Sequence, residues 1–243
     1  MKRKIKRKVT IRDVANLINV HHSTVSRALS SDKRDQISFA MIEKVENDIP
    51  FILVNRTVDG GDVNAVVVDE DCGIRTVLDH LRSLIHTRIA HIAGPQHTST
   101  GYHRARAVSD YLRTHGMRSD LVETTERFTI EEGERAFRKL LARNIDFTAI
   151  VTGNDLLALG CMDVMEEVGL LVPGDISICG YDDILFLERM NPALTTVSLP
   201  KYEMGSYAVR ALLEIIGGES DRSGVIRLQP RLVIRNSTAT ASR

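Results

Sequence analysis

Residues 9–30 read VTIRDVANLINVHHSTVSRALS, and the spacing of their apolar residues predicts two short helices joined by a tight turn. The first helix is predicted at about Ile11 to Ile18, after a helix-start pair formed by Thr10 and Asp13. Asn19 can take the left-handed conformation that ends a helix, and a second amphipathic helix follows it. This pattern is typical of a helix-turn-helix.

A third short helix is predicted after Ser38, which can cap its first turn. Its apolar residues Phe39, Ile42 and Val45 would cover the first two helices and complete an all-α domain over residues 1–47. These residues hold eleven Lys and Arg against five Asp and Glu, although the net charge of the whole chain is zero. Positive charge at one end favours contact with nucleic acid, and a solvated basic tail is the alternative.

Residues 48–243 alternate short apolar strands with amphipathic helices, which predicts an α/β fold with a parallel sheet covered on both faces. The predicted strands are Phe51 to Val54, Ala65 to Val68, Ile89 to Ala93, Ala149 to Val151 and Ile176 to Cys179. The predicted helices are Ile74 to Ile85, Tyr102 to Arg113, Glu131 to Leu141, Leu156 to Val168 and Glu203 to Ile216. Ligands of such folds bind at the carboxyl ends of the strands, so we expect a site there.

The composition restricts the class of protein. The chain has 243 residues, which allows two domains, and no apolar run approaches the roughly 18 residues of a membrane span. The basic start lacks the apolar stretch of a secretory signal, and the three cysteines are widely spaced, so we expect a soluble cytoplasmic protein. No nucleophile-elbow, zinc-protease, Walker or dinucleotide-binding motif occurs, so we expect neither an enzyme nor a cofactor.

Two segments of the chain, VTIRDVA (9–15) and STVSRALS (23–30), closely resemble the lactose-repressor (LacI/GalR) family of regulators. Further matches are IPFILVNR (49–56), RIAHIAGP (88–95), GNDLLALG (153–160), VPGDISICGYDD (172–183) and PALTTV (192–197). The resemblance implies a helix-turn-helix domain followed by a periplasmic-binding-protein-like, flavodoxin-like core. It also implies a transcriptional regulator, expected to be a repressor, that binds double-stranded operator DNA as a homodimer and responds to a sugar-like effector.

The second helix of the family's DNA-binding domain enters the major groove, and this assigns DNA contacts to a set of polar residues. They are Thr10, His21, His22, Ser23, Thr24, Ser26 and Arg27. Arg27 can form a bidentate pair with guanine that contributes roughly 1–3 kcal/mol of discrimination. His21 stands where the family usually has serine. No second ligand pair of suitable spacing accompanies His21 and His22, so no metal site is predicted.

The family's effector lies in the cleft between two subdomains, and the resemblance assigns it five residues of this chain. They are Asn55, Arg104, Phe128, Asn154 and Asp182. A carboxamide, a carboxylate and a guanidinium beside an aromatic face suit a sugar or a similar polar molecule. From the residues alone, Arg104 also fits an exposed helix face, and Phe128 also fits an ordinary core.

The sequence departs from the family pattern where the third predicted helix runs directly into Asp48 and Ile49. The family's hinge helix has no counterpart, and on the order of 100 residues of the family pattern are absent, judged against an ordinary two-domain length. We therefore predict a partial first subdomain at 48–62 and about 191–222, and a complete second subdomain at about 63–190 plus 223–235.

Two consequences follow from this truncation. Apolar surface that relatives cover should be exposed, and control of DNA binding by an effector is put in doubt. The alternative function is an effector-uncoupled or inactive remnant that acts only as an interaction and dimerisation module. A stand-alone solute-binding module is opposed by the helix-turn-helix motif and by the lack of a secretory signal.

Overall fold

The computed structural model describes residues 50–57, 63–217 and 224–241. The predicted helix-turn-helix domain and all seven predicted DNA contacts lie outside the described residues. The chain divides into two compact units, residues 1–52 with 209–222, and residues 53–208 with 223–243. Every strand described below lies in the second unit.

Strands and helices alternate along most of the described chain. In chain order the elements are β1 (Leu53–Val54), β2 (Ala65–Val68), α1 (Glu70–Ser83), β3 (Ile89–Ala93), α2 (Ser99–Thr114), β4 (Val122–Thr124), α3 (Ile130–Ala142), β5 (Ala149–Thr152), α4 (Asp155–Glu167), β6 (Ser177–Cys179), β7 (Thr196–Ser198), α5 (Lys201–Ile216), β8 (Val225–Leu228) and β9 (Arg231–Val233). A 3-10 turn, Leu187–Arg189, precedes β7.

The main sheet has the strand order β4-β3-β5-β6, and all its neighbouring strands are parallel. Every residue of β3 and of β5 is buried, as expected for strands that are covered on both faces. Side chains of α3 and α4 form a core with this sheet, in which Phe137, Leu140, Ile150 and Leu157 are fully buried. The predicted α/β core with a parallel sheet is therefore confirmed.

A second sheet corrects part of the sequence analysis. Strands β1, β2 and β8 form a separate parallel sheet, with Ala65 paired to Leu53 on one side and to Val225 on the other. We had placed β2 and β8 in the second subdomain, apart from β1, and this assignment is wrong. An apolar run predicts that a strand forms, but it does not identify the neighbours of that strand.

The segment 223–235, which we assigned to the second subdomain, forms two strands, β8 and β9. Pro230 separates β8 from β9 and has no backbone N–H to donate to a sheet. Strand β8 pairs in parallel with β2, whereas β9 pairs antiparallel with β7. The segment after residue 224 therefore contributes to two sheets.

Helix α5 exposes several large apolar side chains. Tyr202 is 85% exposed, and Val209, Leu213 and Ile216 are each more than half exposed. This agrees with the expectation that the shortened chain exposes apolar surface. Among the described residues no helix is both long and apolar enough to cross a membrane.

Candidate effector-binding site

Arg104 is the centre of the candidate site. It lies in α2, which begins after β3 with Thr98 as its N-cap, and only 1% of its surface is exposed. Its Nε donates to Glu70 Oε2 at 2.9 Å, and its Nη2 donates to Glu70 Oε1 at 3.1 Å. Glu70 is the first residue of α1, so this bidentate pair joins two helices where β2 and β3 end.

Two residues that follow β6 complete the surroundings of Arg104. The guanidinium carbon lies 3.8 Å from the centre of the buried Tyr181 ring, which is a cation–π contact. Arg104 Nη2 lies 3.1 Å from Asp182 Oδ1. The remaining nitrogen, Nη1, donates to the backbone oxygen of Gly153 at 2.8 Å. Groups from α1 and from the segments that directly follow β5 and β6 therefore hold one guanidinium at the carboxyl ends of the strands.

The pKa values in this cluster keep the positive charge in place. Burial opposes the charged form of Arg104, but the carboxylates of Asp182 and Glu70 outweigh it and raise the pKa of Arg104. Burial raises the pKa of the Tyr181 phenol well above its ordinary value, so this group stays neutral. Burial also raises the pKa of Asp182, against the effect of Arg104. Arg104 therefore stays positively charged, and oxygen acceptors enclose its guanidinium.

The loop that carries Asp182 has an unusual backbone. Asp182 and Asp183 have positive φ angles of 108° and 51°, and Phe186 has 80°. Residues other than glycine take such angles at a cost, and these angles are concentrated at functional sites. Arg235 Nη2 donates to Asp183 Oδ1 at 2.8 Å, and Lys201 Nζ donates to the Asp183 backbone oxygen at 2.9 Å.

Asn154 directly follows Gly153, whose backbone oxygen accepts from Arg104, whereas Phe128 lies elsewhere on the same edge of the main sheet. Asn154 is buried at the N-terminus of α4, where its side-chain oxygen accepts from the backbone N–H of Leu157 at 3.0 Å. That oxygen therefore caps the helix. The half-buried ring of Phe128 packs against Gly94 at the end of β3. Both residues lie at the carboxyl-terminal edge of the main sheet.

Asn55 follows β1 and lines a cavity of about 140 Å³. Glu70 lines the same cavity, together with Asp69 and the first residues of α2, Ser99 and Thr100. The Asn55 side-chain oxygen is buried and accepts no hydrogen bond from any described residue. A buried acceptor of this kind suits a hydroxyl or amine group of a bound molecule.

The structure thus brings Arg104 and Asp182 into direct contact, with Asn154 adjacent through Gly153. Asn55 lines the same cavity as Glu70, and Glu70 in turn binds Arg104. Our sequence analysis did not identify Glu70. A carboxylate directly after the apolar run of β2 was a usable signal, because ligands of parallel sheets bind where the strands end. The described residues contain no cluster of three or more His, Cys, Asp or Glu that could hold a metal ion.

Residues 78–238 match the family of periplasmic binding protein-like domains. The chain belongs to this family. The MalR regulator of Streptomyces coelicolor is 36% identical over 203 residues, which are 79% of this chain and 57% of MalR. The CytR repressor of Escherichia coli is 32% identical over 200 residues, which are 82% of this chain and 59% of CytR. The chain therefore spans less than two thirds of the length of these relatives.

The chain is also similar to two solved structures of regulators. A LacI-family regulator from Enterococcus faecium with bound ribose has a TM-score of 0.72 at 29% identity, over 88% of this chain and 77% of that one. The lac repressor dimer bound to operator has a TM-score of 0.74 at 28% identity, over 84% of this chain and 70% of that one. The resemblance to the LacI/GalR family is confirmed. The relatives are transcriptional regulators rather than enzymes, as expected.

Proposed function

We propose that this periplasmic binding protein-like chain is a sequence-specific DNA-binding regulator, a repressor in the simplest case, that binds a sugar-like effector at the Arg104 site. The observation that carries the effector assignment is the enclosure of Arg104 by Glu70, Tyr181 and Asp182 at the carboxyl ends of the strands. Such a cluster of charged groups is costly to bury. A binding role at this edge of the sheet accounts for it.

The proposed effector contacts are Asn55, Arg104, Phe128, Asn154 and Asp182, to which we add Glu70 because it binds Arg104 and lines the cavity at Asn55. The cavity at Asn55 presents carboxylate, amide and hydroxyl groups, which can bind the hydroxyls of a sugar. The regulator from Enterococcus faecium holds ribose, and this supports a sugar-like ligand. The proposed binding is weak, because little of the family's first subdomain is present to enclose the ligand from the other side.

The proposed DNA contacts are Thr10, His21, His22, Ser23, Thr24, Ser26 and Arg27, presented by a homodimer. The concentration of positive charge in residues 1–47 supports this assignment, as do the relatives, which are HTH-type transcriptional regulators. The lac repressor structure contains a dimer bound to operator. A dimer is required because one short helix-turn-helix rarely gives enough affinity by itself.

The DNA arm is tested by binding to a library of duplexes at several salt concentrations. The logarithm of the association constant should fall linearly with the logarithm of salt concentration. Arg27→Ala should relax sequence preference more than it changes this slope, whereas Arg34→Ala, a matched control outside the second helix, should leave the preference unchanged. Absence of binding at low salt, or an equal loss on all sequences with Arg27→Ala, would overturn the proposal.

The effector arm is tested by calorimetry with ribose, other pentoses, hexoses and disaccharides. We expect dissociation constants far above the micromolar range for the sugar that binds best, and loss of that binding in Asp182→Asn. Arg113→Ala, which removes an exposed arginine from the same helix as Arg104, serves as the control. A submicromolar dissociation constant would contradict the proposal that the partial first subdomain leaves the ligand weakly enclosed, and no binding of any sugar would contradict the effector assignment.

A further inference from the structure

Asp155 connects three separate segments of the fold. It is the first residue of α4, and none of its surface is exposed. Its Oδ2 accepts from the backbone N–H of Ile184 at 2.9 Å, and its Oδ1 accepts from the Thr196 hydroxyl at 2.5 Å. The backbone N–H of Asp155 donates to the backbone oxygen of Tyr181 at 2.8 Å. One buried carboxyl thus links α4, the loop after β6 and strand β7.

The carboxyl of Asp155 is not used to cap its own helix. Asn154 supplies the N-cap of α4, so the Asp155 side chain is directed away from the helix backbone. Burying a carboxyl group is costly unless its hydrogen bonds are made, and both of these bonds go to other segments. The position is therefore built to hold those segments rather than to start the helix.

The loop after β6 needs external support. Asp182, Asp183 and Phe186 all have positive φ, and such residues cost roughly 1–3 kcal/mol each unless their surroundings impose the conformation. Leu185 is 82% exposed and Phe186 is 70% exposed, so their burial contributes little support. Ile184 and Leu187 pack against the core, and polar bonds add to the support of this loop.

Two sets of polar bonds reach the loop from different sides. Arg235 and Lys201 both bind Asp183, one at its carboxylate and the other at its backbone oxygen. Asp155 instead binds the next residue, Ile184, from within the core. Asp182 lies directly before these two anchored residues, and its own N–H donates to the oxygen of Val197 in β7 at 2.9 Å.

We propose that Asp155 is a positioning residue for Asp182. It fixes the loop so that Asp182 faces Arg104, and through Thr196 it ties this geometry to β7, the strand that leads into α5. The inference rests on the proposed effector site for its functional meaning. The anchoring of the loop by Asp155 rests on its two hydrogen bonds, to Ile184 and to Thr196.

The direct test is amide hydrogen exchange by NMR on the full chain. Asp155→Ala should lower the protection of the Ile184 amide at least tenfold and shift the side-chain N–H signals of Arg104. Ile178, a residue of β6 whose N–H donates to the Ser237 backbone oxygen at 2.9 Å, is the internal reference, and its protection should change less than twofold. Asp163→Ala, an exposed acid on the same helix, is the matched control and should change neither amide.

Conservative variants separate positioning from general packing. Asp155→Asn keeps an oxygen for Ile184, and its amide can donate to the Thr196 hydroxyl, so it should restore protection to within twofold of the wild type. Thr196→Val removes only the link to β7 in a nearly isosteric change, and should lower Ile184 protection about threefold. This variant decides the matter if Asp155→Ala does not fold.

Unchanged Ile184 protection in the Ala or Val variants would overturn the proposal. Equal loss of protection at Ile184 and Ile178 would also overturn it, because it would show general destabilisation. Sugar affinity is measured by calorimetry with the same sugars as before. Asp155→Ala should weaken this affinity at least tenfold, and Asp155→Asn should restore it. A wild-type chain that binds no sugar would contradict the proposed function, and the amide result would still decide the role of Asp155.

Discussion

Glu70 holds the guanidinium of Arg104 by two hydrogen bonds, of 2.9 and 3.1 Å, between side chains that are 10% and 2% exposed. The pair differs in kind from the ion pairs at the surface. Arg113 Nη2 and Asp110 Oδ1 lie at a similar distance, 2.8 Å, but their side chains are more than half exposed. Water screens the surface pair, whereas the buried pair makes each partner dependent on the other.

Removing Glu70 should therefore destabilise the fold. We expect Glu70→Ala to lower the free energy of unfolding by roughly 2–4 kcal/mol, because a buried guanidinium loses its bidentate partner and keeps only Asp182 and Gly153 as polar partners beside the Tyr181 ring. Urea denaturation measures this. Asp110→Ala is the matched control, and its effect should stay below about 1 kcal/mol. Equal effects of the two substitutions would show that burial of the pair contributes nothing.

The approach of α1 to Tyr181 gives a second prediction. A Cβ at Gly73 would lie 2.2 Å from the Tyr181 hydroxyl oxygen, so Gly73→Ala must move the ring that stacks on Arg104. We expect a loss of about 1–3 kcal/mol in unfolding free energy. Tyr181→Phe in the same chain should recover part of it. Gly205→Ala in α5 is the control, since its Cβ meets open space, and it should stabilise by up to about 1 kcal/mol.

The sequence predicted strands β2, β3, β5 and β6 well, because each of them is a short, mainly apolar run. The predicted bounds of β2 and β3 agree with the structure at both ends, and all five predicted helices are present. The helix starts were less accurate. We predicted α1 from Ile74, its first apolar residue, but Asp69 caps the helix and it begins at Glu70. Glu70 was missed as a site residue for the same reason.

What the sequence could not show is which strands are neighbours and which polar groups meet. Strand β4 has only three residues, one of them Glu123, and was not predicted. The contact between Arg104 and Glu70 joins residues 34 positions apart, and Asp155 reaches Thr196 over 41. Such contacts depend on the packing of whole elements, which local periodicity does not encode.

Ile85 has a left-handed backbone conformation that β-branched residues rarely adopt. It follows α1 with φ of 67°, a left-handed conformation that costs non-glycine residues roughly 1–2 kcal/mol, and it is 69% exposed. Ile85→Gly should raise the free energy of unfolding by about 1 kcal/mol, since little buried surface is lost. Ile85→Val, which stays β-branched, should give no gain. A lower melting temperature for the Gly variant would contradict this explanation.

Asp155 should make stability depend on pH. Burial raises its pKa to about 7, with the carboxylates of Asp182 and Asp183 acting in the same direction, whereas the pKa in the unfolded chain is about 4. The folded state therefore holds the proton more tightly, and this stabilisation is full below pH 4 and is lost as pH rises through 7. Asp155→Asn does not titrate, so it should gain roughly 2–3 kcal/mol relative to the wild type between pH 5 and pH 8. A difference that is flat with pH, measured by urea denaturation, would contradict the raised pKa.

The last prediction concerns coupling between the two proposed sites. An effector changes DNA affinity only if it binds two global states of the protein with different free energies. In the family the hinge helix and the first subdomain supply the moving parts, and this sequence has only Asp48 and Ile49 between the third predicted helix and Pro50. We therefore expect a coupling free energy near zero. DNA titrations with and without a saturating sugar should coincide, and a shift of about tenfold, roughly 1.4 kcal/mol, would show that a coupling route exists.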